Sequence, residues 1–166
     1  MLKMMGEHRT RRFAIAGAIR LAFASGVANS GAIAQTSCLS SFVPVERDRC
    51  LTALAAGAAP IIAALAWYAI DRGGYPDPRS ADDARTLTDY LGPAGPAASA
   101  GNFLTIGRSS PTSWFYYRGA DPTLGYSLSY KLGWDPKLIY RSEKGEGRWT
   151  VDPGDGGEER PLAGSP

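Results

Sequence analysis

One histidine, His8, and two cysteines, Cys38 and Cys50, are all that this chain of 166 residues offers for the commonest nucleophilic and metal chemistry. A Ser–His or Cys–His nucleophile needs an imidazole beside it to take the proton. His8 sits far from the rest of the chain's chemistry, in a basic N-terminal stretch. A zinc site needs four ligands, and one cysteine pair without histidine falls short. The phosphate-cradling pattern Gly-x-x-x-x-Gly-Lys-Ser/Thr is absent. A pair of carboxylates could cleave a glycosidic bond. The local candidates are Asp82 with Asp83, Glu143 with Glu146, and Glu158 with Glu159. Each reads first as solvated surface or as a helix N-terminus. The expectation is a protein that is not an enzyme, with a carboxylate-dependent hydrolase as the remote alternative.

Three other features carry chemistry. Asp152-Pro153-Gly154-Asp155-Gly156 is a short acidic loop with glycine at turning points. Carboxylate oxygens in such loops bind calcium, so Asp152 and Asp155 are candidate ligands; the plainer reading is an acidic turn, and no other cofactor is implied. Cys38 and Cys50 form an even pair, expected to be bridged in an oxidising compartment. Finally, the stretch from Trp114 to Trp149 is rich in aromatics. Neighbours on a strand point to opposite faces, so Trp114 and Tyr116 face away from Phe115 and Tyr117. Both pairs cannot lie in one small core. Exposed rings stack on sugars or dock proteins, and Trp114, Tyr116 and Trp134 are the candidates for that role. Aromatic enrichment is also what buried strands show.

The elements that must position these residues can be read in order. Residues 1–12 carry Lys3, Arg9, Arg11 and Arg12 against Glu7. A mostly apolar stretch runs from Phe13 to Ala34 and ends in Gly31-Ala32-Ile33-Ala34. Basic, then apolar, then small is the layout of a secretory signal. Cleavage after Ala34 would leave 132 residues starting at Gln35; an uncleaved anchor is the alternative. Thr10-Arg11-Arg12-Phe13 resembles a twin-arginine signal, whereas Gln35 three residues before Cys38 does not suit a lipobox. The leader holds five Lys/Arg and one Glu, a net of +4, against +2 for the whole chain. The remainder is therefore at −2, and without excess positive charge nucleic acid is not an expected partner.

Leu51 to Ile70 contains no charged residue and is rich in Ala, so it predicts a helix. Pro60 should kink or divide it. Ile61, Leu65 and Tyr68 share one face. Twenty uncharged residues could also span a bilayer, so packing on a sheet and a single membrane helix both stand. Gly73-Gly74 stops the helix. Ser80 to Leu91 predicts a second, short helix with Ser80 as N-cap. From Trp114 the period becomes two. Trp114–Tyr117, Tyr126–Leu132, Leu138–Arg141 and Trp149–Val151 are expected strands, joined by turns at 119–125, 133–136 and 143–147 into a meander.

Leu65-Ala66-Trp67-Tyr68 followed by Gly74-Tyr75-Pro76 resembles small exported pilin-like proteins, among them the pseudopilins of type II secretion. The resemblance covers roughly Ala59 to Gly156 and implies a helix laid over a small antiparallel sheet that ends in a Trp-containing strand. It also implies a late calcium loop, here Asp152 and Asp155. The processing site that such proteins carry before their helix has no counterpart before Leu51.

The expected fold is thus α+β: a signal at 1–34, a linker with the disulfide at 35–50, an α+β domain at 51–152 with one long Ala-rich helix on an antiparallel meander, and a flexible acidic tail at 153–166. The expected role is an exported, periplasmic or extracellular assembly or interaction module, with inner-membrane anchoring as the alternative location. Its partner would be an envelope protein, or a glycan bound by exposed Trp and Tyr.

Overall fold

The structure is a computed structural model that describes Cys38 and residues 44–107, 113–154 and 156–164. The leader expected at 1–34 lies outside the described residues.

Pro44 opens the first helix, α1 (Pro44–Gly57), where its fixed φ and missing N–H fit the first helical position. The helix therefore begins inside the segment expected as linker, and takes in Arg47, Asp48 and Arg49. Pro60 divides the apolar run as anticipated: α1 ends at Gly57, and α2 (Ala59–Arg72) restarts with Pro60 in its first turn. Pro60 has no N–H to donate to the carbonyl four residues back. Gly73 ends α2 at φ 75°, and its N–H donates to Ala69 O. The short helix α3 (Ala81–Leu91) starts where Ser80 Oγ accepts from Asp83 N at 3.1 Å.

Among the described residues, seven strands form one antiparallel sheet in sequential order. They are β1 (Ala97–Ser99), β2 (Leu104–Ile106), β3 (Trp114–Arg118), β4 (Gly125–Lys131), β5 (Lys137–Glu143), β6 (Glu146–Asp152) and β7 (Arg160–Pro161). The four expected strands are β3 to β6. The register places Trp114 opposite Tyr130, and Tyr116 opposite Leu128, which in turn faces Tyr140. The β5–β6 turn holds Lys144 at φ 52° and Gly145 at φ 87°, the twist-matched two-residue hairpin turn.

Three strands were not anticipated. Ala97–Ser99 and Leu104–Ile106 extend the sheet beyond β3; the first is made of small residues with little strand propensity of its own, and the second is only three residues long. The segment after Asp152, expected as a flexible tail, returns to pair β7 with β6. Leu162 is buried, and its N–H donates to Trp149 O at 3.1 Å. A single buried leucine repays the ordering of a strand that short better than composition suggests.

The helices cover one face of this sheet and share one core cluster with it. Along α1 and α2, Leu51, Leu54, Ala58, Ile61, Leu65 and Tyr68 are buried at alternating steps of three and four residues. The run Arg47–Arg72 is long and apolar enough to cross a membrane by length and composition; here one of its faces is packed into the core. Its other face shows Trp67 and Ile70 largely exposed. The Gly-Tyr-Pro link is fastened to the sheet: Tyr75 N donates to Pro122 O, and Tyr116 Oη donates to Pro76 O, both at 2.9 Å. Arg118 Nη1 donates to Tyr75 O at 2.7 Å. The Cys38–Cys50 disulfide ties the segment before α1 to that helix.

Candidate functional site

Alternation along β3 and β4 decides which rings are available. Trp114, Tyr116, Tyr126, Leu128 and Tyr130 point to the helices and are buried. Phe115, Tyr117, Ser127, Ser129 and Lys131 take the other face, which no helix among the described residues covers.

That result corrects two of the expected binding residues. Trp114 and Tyr116 are core side chains, with Trp114 packed on Tyr130 and Trp149. They cannot stack on a ligand without opening the fold. Burial, acting against ionisation, pushes the Tyr116 and Tyr126 hydroxyls far above their ordinary value. Trp134 is 99% exposed, but at the tip of the β4–β5 connection. The structure therefore does not bring the three residues together.

The calcium candidates are likewise not assembled. Asp152 Oδ1 accepts from Gly154 N at 2.9 Å, and Oδ2 lies 3.9 Å from Lys137 Nζ. Asp155 lies outside the described residues. Among the described residues no group of three or more His, Cys, Asp or Glu side chains is placed to hold a metal ion. Within the carboxylate pairs, Asp82, Asp83 and Glu143 are engaged structurally. Asp82 meets Arg85, Asp83 Oδ2 accepts from Asp77 N at 2.7 Å, and Glu143 lies 3.6 Å from Arg148.

What the outer face does assemble is a shallow trough of about 400 Å³. Phe103 leans out of the β1–β2 turn against Phe115 and Tyr117, with ring centroids 5.6 and 5.5 Å apart. These rings form one wall. Ser127 and Ser129 lie opposite Tyr117 and Phe115 on β4, and their short side chains keep the floor low. Ile139 and Arg141 on β5 form the far wall. Lys131 and Lys137, directly opposite each other, close one end. Lys131 Nζ lies 5.7 Å from the Phe115 ring centre, over its face.

Arg141 is held by a two-point ion pair. Its Nη1 and Nη2 donate to Glu159 at 2.6 and 2.7 Å, and Nη1 also donates to Thr150 Oγ1. These bonds lower the Glu159 carboxyl below its ordinary range and raise the guanidinium. No family model, curated protein or solved structure matches this chain. Function has to be argued from the trough itself.

The candidates Trp114 and Tyr116 lie on the face opposite the trough. The alternation placed Phe115 and Tyr117 together, away from Trp114 and Tyr116. Tryptophan's larger ring drew the assignment to the face that the helices in fact seal. Phe103 was missed because it precedes a strand of only three residues and meets Phe115 and Tyr117 only through the β1–β2 turn.

Proposed function

We propose that the protein is an exported, non-enzymatic binding module of the cell envelope, and that the outer face of its sheet binds glycan. The observation that carries this reading is the trough: three aromatic rings beside two serine hydroxyls that bond to nothing else among the described residues. Sugars present an apolar ring face and a rim of hydroxyls, so they are recognised by aromatic faces flanked by hydrogen-bonding groups. Export is supported by the basic–apolar–small leader and by the disulfide, which persists in oxidising compartments. Pulldown on purified cell-wall glycan tests the binding. Tyr117→Ser should abolish retention while Trp134→Ala leaves it intact. Equal retention of both variants would defeat the assignment to this face. Fractionation tests export: an intact leader on cytosolic protein would overturn it.

A second reading, an assembly module with a pseudopilin-like arrangement, is favoured by one observation. Trp67 and Ile70 are 61% and 71% exposed on the outer side of α2. Large apolar groups displayed there suit a protein or membrane contact. Replacing both with Glu should release the protein from the membrane fraction if this reading holds, and change nothing if the trough alone does the work.

A further inference from the structure

We infer that the saccharide taken by the outer trough is acidic, with a sugar ring on the exposed Tyr117 and its carboxylate between Lys131 and Lys137; this rests on the glycan reading above. The charge pattern leads there. Three cations line the trough and no carboxylate does. They are not equivalent. Arg141 is already matched by Glu159 through two short hydrogen bonds. Lys131 has no carboxylate partner among the described residues, and Lys137 has only Asp152 at 3.9 Å, at the edge of contact. The unmatched positive charge therefore collects at one end.

Lys131 and Lys137 are also direct cross-strand neighbours on the same face. Like charges placed opposite each other destabilise a sheet. An anion seated between them removes that repulsion and gains two charge-assisted contacts. The geometry adds a second constraint. Lys131 lies over the Phe115 ring and covers it, so an anion held by its ammonium sits at the end of the aromatic wall that continues through Phe103 to the exposed Tyr117. One ligand unit must then offer an apolar face and a negative charge side by side, which a uronic acid does. From Lys137 to Arg141 the strand advances about 13 Å, so the trough has length for further sugars beyond the first. Polyphosphate supplies charge without an apolar face, and an acidic peptide supplies charge without a rigid ring; both fit this end less well.

Calorimetric titration of the full chain, disulfide intact, tests the inference with four probes: a trimeric uronate, a neutral trisaccharide, a glutamate-rich hexapeptide and inorganic polyphosphate. The uronate should bind more tightly than the neutral trimer and weaken with salt. Lys131→Gln should weaken it about fivefold, the scale of an exposed charge contact, without affecting the neutral trimer. Tyr117→Ser should weaken both saccharides, and because Tyr117 is exposed this variant keeps its fold. Equal binding of both trimers, unchanged by Lys131→Gln, would overturn the acidic ligand and leave the glycan reading standing. Binding of neither trimer, whether or not peptide or polyphosphate binds, would overturn both.

Discussion

On β3 the inner face carries Trp114 and Tyr116 and the outer face carries Phe115 and Tyr117. The four are consecutive in sequence, yet Tyr116 is 0% exposed and Tyr117 37%. On β4 the contrast sharpens. Its inner side is Tyr126, Leu128 and Tyr130; its outer side is Ser127, Ser129 and Lys131. The inner face is filled because α1, α2 and α3 lay apolar stripes on it. The outer face is low in the middle because its central residues are small. One set of strands thus supplies a sealed aromatic core and an open aromatic trough, and only the placement of the helices separates the two roles. Aromatic content in strands, taken alone, says nothing about binding.

The largest expected effect comes from breaking the sealed side. Tyr116→Ala removes a fully buried ring and the hydrogen bond to Pro76 O. It should cost about 3–5 kcal/mol of unfolding free energy, as buried aromatic truncations do. Tyr117→Ser, one residue on, should cost less than about 1 kcal/mol while destroying binding. Urea unfolding of the two variants reads the difference directly. Similar losses for both would mean that the outer face is covered after all.

Next in size is the disulfide. Cys38 and Cys50 are 12 residues apart, and their bridge fastens Cys38 to the middle of α1, which packs on the inner face. Replacing both with Ser should cost about 3 kcal/mol in the chain-entropy account. Trough binding by the protein that stays folded should not change. Loss of binding without unfolding would tie the two faces together and blunt the contrast.

Tyrosine titration gives a smaller, spectroscopic test. Burial pushes Tyr68 up to about 12, with the Asp83 carboxylate adding to the rise, and drives Tyr116 and Tyr126 higher still. Tyr117 is raised by burial as well. A folded-state value above the unfolded one means the native state holds its proton longer. Stability from the inner tyrosines is therefore complete below pH 10 and falls as pH rises through that value. Tyr117, on the exposed face, should ionise before Tyr116 and Tyr126 in a titration followed by ultraviolet absorbance. Tyr116 and Tyr126 should ionise only as the fold opens, in one cooperative step.

Much of the fold was legible in the chain before the structure. Ser80 as N-cap, Gly73 as stop, Pro60 as divider and the four central strands each follow from local chemistry within a few residues. The two edges were not legible. The strand Ala97–Ser99 has no propensity of its own and exists because Leu104–Ile106 offers it a partner. The strand Arg160–Pro161 sits in a Gly- and Glu-rich segment and is fixed by Arg141, Trp149 and Asp48, all distant in sequence. The site suffered the same limit. Alternation sorted the rings into two faces, but which face the helices cover is a tertiary fact. Phe103 joins Phe115 and Tyr117 only once the β1–β2 turn has formed.

The smallest expected effect lies where the two faces are joined. Glu159 immediately precedes the last strand and Arg160 begins it, and their contacts lie on opposite sides of the sheet. Glu159 reaches the outer face to hold Arg141, and Arg160 reaches Asp48 of α1 at 3.0 Å. The strand thus clips the helix side of the sheet to the trough side. Arg141 holds the Glu159 carboxyl below its ordinary range. A carboxyl lowered in the folded state contributes stability above its unfolded value, and that contribution is lost as pH falls through the folded one. Glu159→Gln should therefore lower stability at neutral pH by less than about 1 kcal/mol, the scale of a solvent-screened pair. The two unfolding curves should converge in acid and at high salt. The same variant leaves Arg141 unmatched beside the trough, so it should tighten binding of an acidic saccharide while leaving a neutral one unchanged. Unchanged affinity for both would show that charge at the Arg141 end does not reach the ligand, and that recognition is confined to the lysine end.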